Sequence, residues 1–253
     1  MNVGLYSGAA GMRVGQDYQE LVSENLSLQA VPGYKQTLPV FSTDPLATTN
    51  KTQSTPSGNP AAVRMTRVID FSQGPIQPSG GTYHVAIEGQ SFFQVREADG
   101  STSYTRNGAF TLSPHGQLIT TDGASVLSKG GSPITIDTSK AGNVTIAADG
   151  TISLSGLPSS TLGLSHFDNP SASLQPGAYG RFVAQNTNDA KSGLAKNDTV
   201  LQGSLEQSNG NPVQQMADMI QAVRLYEANS KSVKAVDDSQ NQLISSLGAR
   251  PQG

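Results

Sequence analysis

The stretch NPVQQMADMIQAVRLYEANSKSVKAVDDSQNQLISSLG, residues 211–248, predicts a long helix close to the C-terminus. Asn211 suits the N-cap and Pro212 the first helical position, and Gly248 and Pro251 indicate its end. A three-four heptad step runs through Met219, Val223, Tyr226, Ser230, Val233, Asp237, Gln240, Ile244 and Leu247, and Met216 and Ile220 widen it. Because a helix with one apolar stripe must bury it, we expect this helix to need a partner.

A second helix is predicted near the N-terminus, over residues 3–30. Apolar residues recur there at helical spacing, and Gly4, Gly8, Gly11 and Gly15 step by four, three and four. Each glycine costs about 0.8–1.0 kcal/mol relative to alanine in a helix interior, so this helix is weak alone. Its glycines form a smooth face that another backbone can approach, and Pro32-Gly33 ends it.

Between the helices the sequence is typical of antiparallel β structure. Asp99-Gly100, Asn107-Gly108, Asp122-Gly123 and Asp149-Gly150 each fall between β-type runs, which predicts hairpins with type I′ turns. We therefore expect four regions: an N-terminal assembly helix (1–35), an extended connector (36–82), an antiparallel β domain (83–205) and a C-terminal assembly helix (206–253). The predicted fold class is α+β, in which long N- and C-terminal helices pack as a coiled-coil-like pair beside a barrel- or sandwich-like all-β central domain.

Composition argues against several functional classes. The chain has 253 residues, a formal net charge of −3, no Cys and 14% charged residues, and its Lys and Arg are too scattered for a nucleic-acid surface. His84, His115 and His166 lack neighbours at ligand spacing, and no catalytic motif occurs, so we predict no enzyme, cofactor or metal site. No apolar run reaches the length of a membrane span, and the N-terminus lacks the pattern of a Sec signal peptide.

Three blocks of sequence resemble the bacterial flagellar rod and hook proteins. They are Asn25-Leu26-Ser27 with Pro32-Gly33-Tyr34-Lys35, then VAIEGQSFFQV (85–95) with DGSTSYTRNGAFTLSPHGQLIT (99–120), and then QGSLEQSN (202–209) with the helix quoted above. The family's N-terminal signature, its Gly-Gln-x-Phe-Phe and Tyr-Thr-Arg-x-Gly-x-Phe motifs and its Gly-x-Leu-Glu-x-Ser-Asn motif occur in the same order here.

This resemblance implies a structural subunit of the flagellar basal-body rod that assembles helically through its terminal helices into a torque-transmitting tube. It also implies a homo-oligomer, other rod proteins and the flagellar type III export apparatus as partners, and a place in the periplasm-spanning basal body. The short connector and Pro212 favour the proximal rod type adjoining the distal rod. The alternatives are a distal rod or short hook-like subunit and, from another class, a carbohydrate-binding or adhesive β domain that uses Phe92, Phe93 and Tyr104.

The residues predicted to form subunit contacts lie on the two terminal helices. In the N-terminal helix they are Leu5, Gly8, Gly11, Met12, Gly15, Leu21, Asn25 and Leu26, and in the C-terminal helix they are Met216, Met219, Ile220, Val223, Tyr226, Val233 and Leu243.

Overall fold

The computed structural model describes residues 3–44, 62–137 and 144–248. Two long helices, α1 (Val3–Leu28) and α3 (Pro212–Gly248), flank the strands, and a short helix, α2 (Pro170–Ser173), lies among them. The strands are β1 (Thr37–Asp44), β2 (Ala62–Ile69), β3 (Ile76–Pro78), β4 (Val85–Glu88), β5 (Phe92–Arg96), β6 (Thr102–Thr105), β7 (Phe110–Leu112), β8 (Leu118–Thr120), β9 (Ser125–Val126), β10 (Val144–Ile146), β11 (Thr151–Leu154), β12 (Leu157–Thr161), β13 (Leu164–His166), β14 (Leu174–Pro176), β15 (Phe182–Ala184), β16 (Lys191–Ser192), β17 (Thr199–Gln202) and β18 (Ser204–Glu206).

The chain divides into two compact units. A helical unit contains Met1–Leu26, Thr37–Val68 and Asn211–Gly253, and a β unit contains Ser27–Gln36 and Ile69–Gly210. The predicted division into four regions places its boundaries elsewhere and stays a prediction. None of the helices in the described part of the chain is long and apolar enough to cross a membrane.

In the helical unit, a two-stranded ribbon of β1 and β2 lies against α1. The rings of Tyr18 and Phe41 meet edge to face, with centroids 5.8 Å apart. Arg67 of β2 also donates hydrogen bonds to Glu20 and Glu24 of α1, at 3.0 and 3.2 Å. The ribbon therefore adds both apolar and charged contacts to the weak N-terminal helix.

The two long helices do not form the coiled-coil-like pair that the sequence predicts, and this part of the predicted fold class is wrong. Antiparallel contacts run from Gly8 beside Val233, through Gly15 beside Tyr226, to Asn25 beside Gln215, but α3 is too long for α1 to pair with it over its whole length. At 1.5 Å per residue, the 37 residues of α3 span about 55 Å and the 26 residues of α1 about 39 Å. The contact also relies on glycines, which have no side chain to insert as a coiled-coil knob. The α+β class itself is observed, but the helices pair only in part.

The β unit is antiparallel throughout its paired strands. Its largest sheet has nine strands, with β14-β15-β6-β5-β9-β8-β7 as its main path and with β13 and β16 beside it. Side chains alternate across a strand, so β5 serves two cores: Phe93 and Val95 enter the main core, whereas Phe92 enters a smaller aromatic core with Phe167 and Phe182.

Three of the four predicted hairpin turns join paired strands. Gly100, Gly123 and Gly150 have φ of 88°, 93° and 84° and connect β5–β6, β8–β9 and β10–β11. The aspartates before them do not adopt positive φ, so the predicted type I′ geometry is wrong. Asn107-Gly108 is not a hairpin turn, since the flanking strands β6 and β7 are not paired with each other. A Cβ on Gly108 would instead clash with the Val85 carbonyl oxygen. Gly108 is needed for this close backbone approach.

We expect the main core to dominate the stability of the β unit. Phe93 is fully buried, and its ring meets Phe110 edge to face at 5.1 Å, so Phe93→Ala should lower the free energy of unfolding by about 3–5 kcal/mol. The matched control is Leu157→Ala, because Leu157 is 74% exposed in the same unit. Urea denaturation of the two variants measures the difference, and equal losses would contradict this account of the core.

Candidate functional site

One side of α3 packs against the glycines of α1. A Cβ on Gly15 would lie 3.1 Å from the Tyr226 backbone, and a Cβ on Gly8 would lie 2.4 Å from the Val233 side chain. Nearer the start of α3, the Ala222 carbonyl accepts a long hydrogen bond from Gln19, and Ala222 is completely buried. This side of the helix is therefore already occupied within the chain.

A different side of α3 exposes an apolar stripe. Val213, Met216, Ile220 and Val223 are 73%, 54%, 56% and 39% exposed. At about 100° per residue they fall within an arc of about 80°, separate from the arc that faces α1. Their three-four-three spacing is the apolar seam of a helix that packs lengthwise against another. We define these four residues as the α3 stripe.

The structure divides the predicted subunit-contact residues into groups. Within the chain, Gly8 faces Val233, Gly15 faces Tyr226 and Gly11 faces Asn229, which was not predicted. Leu21 and Asn25 are buried, and Met12 and Met219 are half-buried. The side chains of Leu5 and Leu243 lie outside the described residues. Those left exposed are Leu26, Met216, Ile220 and Val223, and the role of the whole set in subunit contacts stays a prediction.

Asn25 has a role inside the helical unit. Its side-chain amide donates to the Thr37 carbonyl at 2.7 Å, and its carbonyl accepts from the Thr37 amide at 2.9 Å. The same amide group also donates to Gln215 of α3 at 3.4 Å. Asn25 therefore fixes the start of β1 against α1 and contacts α3, which accounts for its burial.

A second group of residues surrounds a buried carboxylate in the β unit. Glu206 accepts from Lys35 Nζ at 2.6 Å and from Arg106 Nε at 2.8 Å, and all three side chains are at most 2% exposed. Burial lowers the pKa of Lys35, against the opposing charge of Glu206. Removing one partner of such a pair leaves an uncompensated buried charge. We call these three residues the Glu206 cluster.

The cations of the Glu206 cluster also satisfy backbone groups in loops. Lys35 Nζ donates to the Ser72 carbonyl at 2.6 Å, and Arg106 donates to the carbonyls of Gly89 at 2.8 Å and of Ser91. The carboxylate in turn accepts from the Gly74 amide at 2.9 Å. A buried backbone group without a partner costs free energy, so the cluster holds these loops in place.

Glycine is required where the chain passes this cluster. Gly33 has φ of 70°, and a Cβ there would lie 2.3 Å from the Arg106 backbone. Its amide also donates to the Glu206 backbone carbonyl at 2.7 Å. A side chain at residue 33 would therefore push residues 33–35 away from Glu206.

Sequence reasoning missed the Glu206 cluster, although Lys35, Arg106 and Glu206 lie in the three blocks that resemble rod and hook proteins. The available signal was that the motif around each of these residues carries this one charged residue, which could have indicated a buried ion cluster. The aromatic residues considered for carbohydrate binding, Phe92, Phe93 and Tyr104, are buried at 2%, 0% and 5% exposure and belong to the cores. Within the described residues, no group of three or more His, Cys, Asp or Glu could hold a metal ion.

Comparison with known proteins matches two parts of the chain, which include Arg106, Glu206 and the α3 stripe. Residues 86–154 match the flagellar hook protein FlgE/F/G D1 domain, and residues 201–246 match the C-terminal domain of the flagellar basal body rod FlgEFG proteins. The chain is 35% identical to the flagellar basal-body rod protein FlgF of Caulobacter vibrioides, over 71% of each chain. It is 33% identical to FlgF of Escherichia coli, over 94% of this chain and 96% of the relative. It is 31% identical to the rod protein FlgG of Buchnera aphidicola, over 94% and 97%.

The contact between α1 and α3 gives a testable expectation. Gly15→Leu should separate the helices, because its Cβ would already press on the Tyr226 backbone and overpacking costs about 1–3 kcal/mol. This cost exceeds the gain of about 0.8 kcal/mol in helix propensity. Amide hydrogen exchange should then become faster in α1.

Gln16→Leu is the matched control, since Gln16 is exposed one residue along the same helix and its replacement should leave exchange in α1 unchanged. Gly11 is a poorer test position, because the nearest atoms belong to the Asn229 side chain, which can rotate away. Unchanged exchange in Gly15→Leu would contradict the glycine contact.

Proposed function

The chain belongs to the flagellar basal-body rod protein family, and we propose that it is a structural subunit of the bacterial flagellar rod. In this role it assembles with copies of itself and with other rod proteins into the axial structure of the basal body. Its contribution is mechanical, and we propose no catalytic role. Family membership supports this assignment, and the exposed α3 stripe is the structural observation that supports it.

The α3 stripe is the observation that calls for a neighbouring subunit. Four large apolar side chains along one side of a helix are costly to leave in water, at about 25 cal/mol per Å² of apolar surface. α1 occupies another side of α3, so within the helical unit the stripe is left open. Assembly through repeated contacts between identical subunits would bury it in every copy.

Within the rod, we propose the proximal position adjoining the distal rod, with the distal rod as the alternative. The short connector predicted over residues 36–82 and Pro212 at the start of α3 favour the proximal type. The relatives include proteins named FlgF and proteins named FlgG at similar identity, so identity alone favours neither position. The flagellar export apparatus is a further proposed partner, on the basis of family membership.

Charge placed on the α3 stripe should block assembly without unfolding the subunit. Ile220→Glu puts a carboxylate on a position that is 56% exposed in the free chain, so the free energy of unfolding should change by less than about 0.5 kcal/mol. In the rod, the same carboxylate would be buried without a partner, which costs several kcal/mol. We expect at least about tenfold fewer complete basal bodies and loss of swimming.

The matched control is Gln221→Glu, one residue away. Gln221 is exposed but lies outside the arc of the α3 stripe, so this variant should assemble normally. Electron microscopy of basal bodies and swimming in soft agar, in cells that lack the unaltered protein, compare the two variants. Normal rods with Ile220→Glu, or equal loss with both, would argue against the proposed interface.

A further inference from the structure

The chain enters or leaves the β unit at four points. These are the ends of its two sections, at Ser27, Gln36, Ile69 and Gly210. Any force that the covalent chain carries into the β unit passes through one of them. The hydrogen bonds around these points therefore decide how the β unit resists force.

Three of the four points are joined by a ring of hydrogen bonds inside the β unit. The Gln36 amide donates to the Asn209 side-chain carbonyl at 2.8 Å, and the Asn209 side-chain amide donates to the Asp70 carbonyl at 2.8 Å. The Asp70 amide completes the ring by donating to the Gln36 carbonyl at 2.9 Å. The Asn209 side chain thus bridges the Gln36 amide and the Asp70 carbonyl, beside the direct hydrogen bond between these two residues.

The fourth point is fastened to the same place. The side-chain amide of Gln29, two residues after Ser27, donates to the Gly210 carbonyl at 3.1 Å. The four points thus lie together at one end of a continuous hydrogen-bonded group. We call this group, with the Glu206 cluster next to it, the junction.

The Glu206 cluster anchors each segment of the ring to the interior. Lys35 precedes Gln36, and Glu206 comes three residues before Asn209 on the segment that leads out of β18. Lys35 also donates to the carbonyl of Ser72, two residues after Asp70, and Asn209 donates to the same carbonyl at 3.2 Å. Each segment is therefore held twice, once in the ring and once by the buried ions.

We propose that the junction is a mechanical joint that distributes force among the chain segments entering the β unit. Force applied between two entry points then cannot detach one segment from the unit while the others stay in place. The proposal rests on the proposed function, because a rod subunit transmits torque from its axis to its β unit. Apolar side chains could not serve in place of the ions, since the carbonyls of Gly89 and Ser91 would lose the donor that Arg106 supplies.

Single-molecule pulling on the monomeric full-length chain tests this joint. Force applied through the two termini loads Ser27 and Gly210. Glu206→Gln should make the β unit unfold roughly a hundredfold faster at a given force, because it leaves two buried cations without their carboxylate. Asn209→Ala removes the ring and the Asn209 bonds to Ser72 but keeps the Glu206 cluster, and it should accelerate unfolding by about tenfold.

Two controls separate a joint from ordinary stability. Lys191→Ala removes the exposed pair of Lys191 with Asp168 in the same unit and should leave the unfolding rate unchanged. Force applied instead through cysteines placed at Ser101 and Leu157, both exposed within the β unit, should leave Asn209→Ala indistinguishable from the unaltered chain.

An Asn209→Ala effect of equal size in both pulling directions, or no effect in either, would overturn the joint. Because these measurements use monomers, they do not depend on assembly through the α3 stripe. Failure of the joint and failure of the rod proposal are therefore separate outcomes.

Discussion

The buried carboxylate of Glu206 is the interaction on which the arrangement of the chain segments at the entrance to the β unit depends. A carboxylate cannot be removed from water without partners of opposite charge and hydrogen-bond donors. Glu206 finds them in Lys35 and Arg106, which come from distant parts of the sequence. Satisfying this one group therefore brings together the segment after α1, the end of β6 and the segment before α3. This requirement therefore fixes where the chain segments near the first and last residues of the β unit lie.

The helical unit is built differently, because apolar side chains on its long helix α3 stay exposed to solvent. Glycines let α1 approach one side of α3, while another side exposes the α3 stripe. The chain thus combines a β unit with two closed cores and a helical unit that presents an open apolar surface. This combination suits the proposed role, in which helices with an open apolar surface would gain further contacts from neighbouring subunits.

Helix caps and turns, which depend on neighbouring residues, were predictable from the sequence, whereas contacts between distant residues were not. Asn211 caps α3 as expected, accepting from the Val213 amide at 3.0 Å, and the Asp-Gly pairs at 99, 122 and 149 mark turns between paired strands. The partial pairing of α1 and α3 was not predictable, because periodicity shows that a helix has an apolar side but not what covers it. Ser155-Gly156, where both residues have positive φ, was overlooked as a turn because serine rarely adopts that conformation. The Glu206 cluster joins residues up to 171 positions apart, which no local pattern reveals.

The central claim is that neighbouring subunits cover the α3 stripe in the assembled rod. The chain has no cysteine, so Ile220→Cys and Gln221→Cys each provide a single site for a water-soluble maleimide. The most direct measurement is the labelling rate of these two cysteines in the purified monomer and in isolated basal bodies. We expect both to react readily in the monomer, whereas assembly protects the cysteine at position 220 far more than the one at 221. Equally rapid labelling at position 220 in both states would contradict the account.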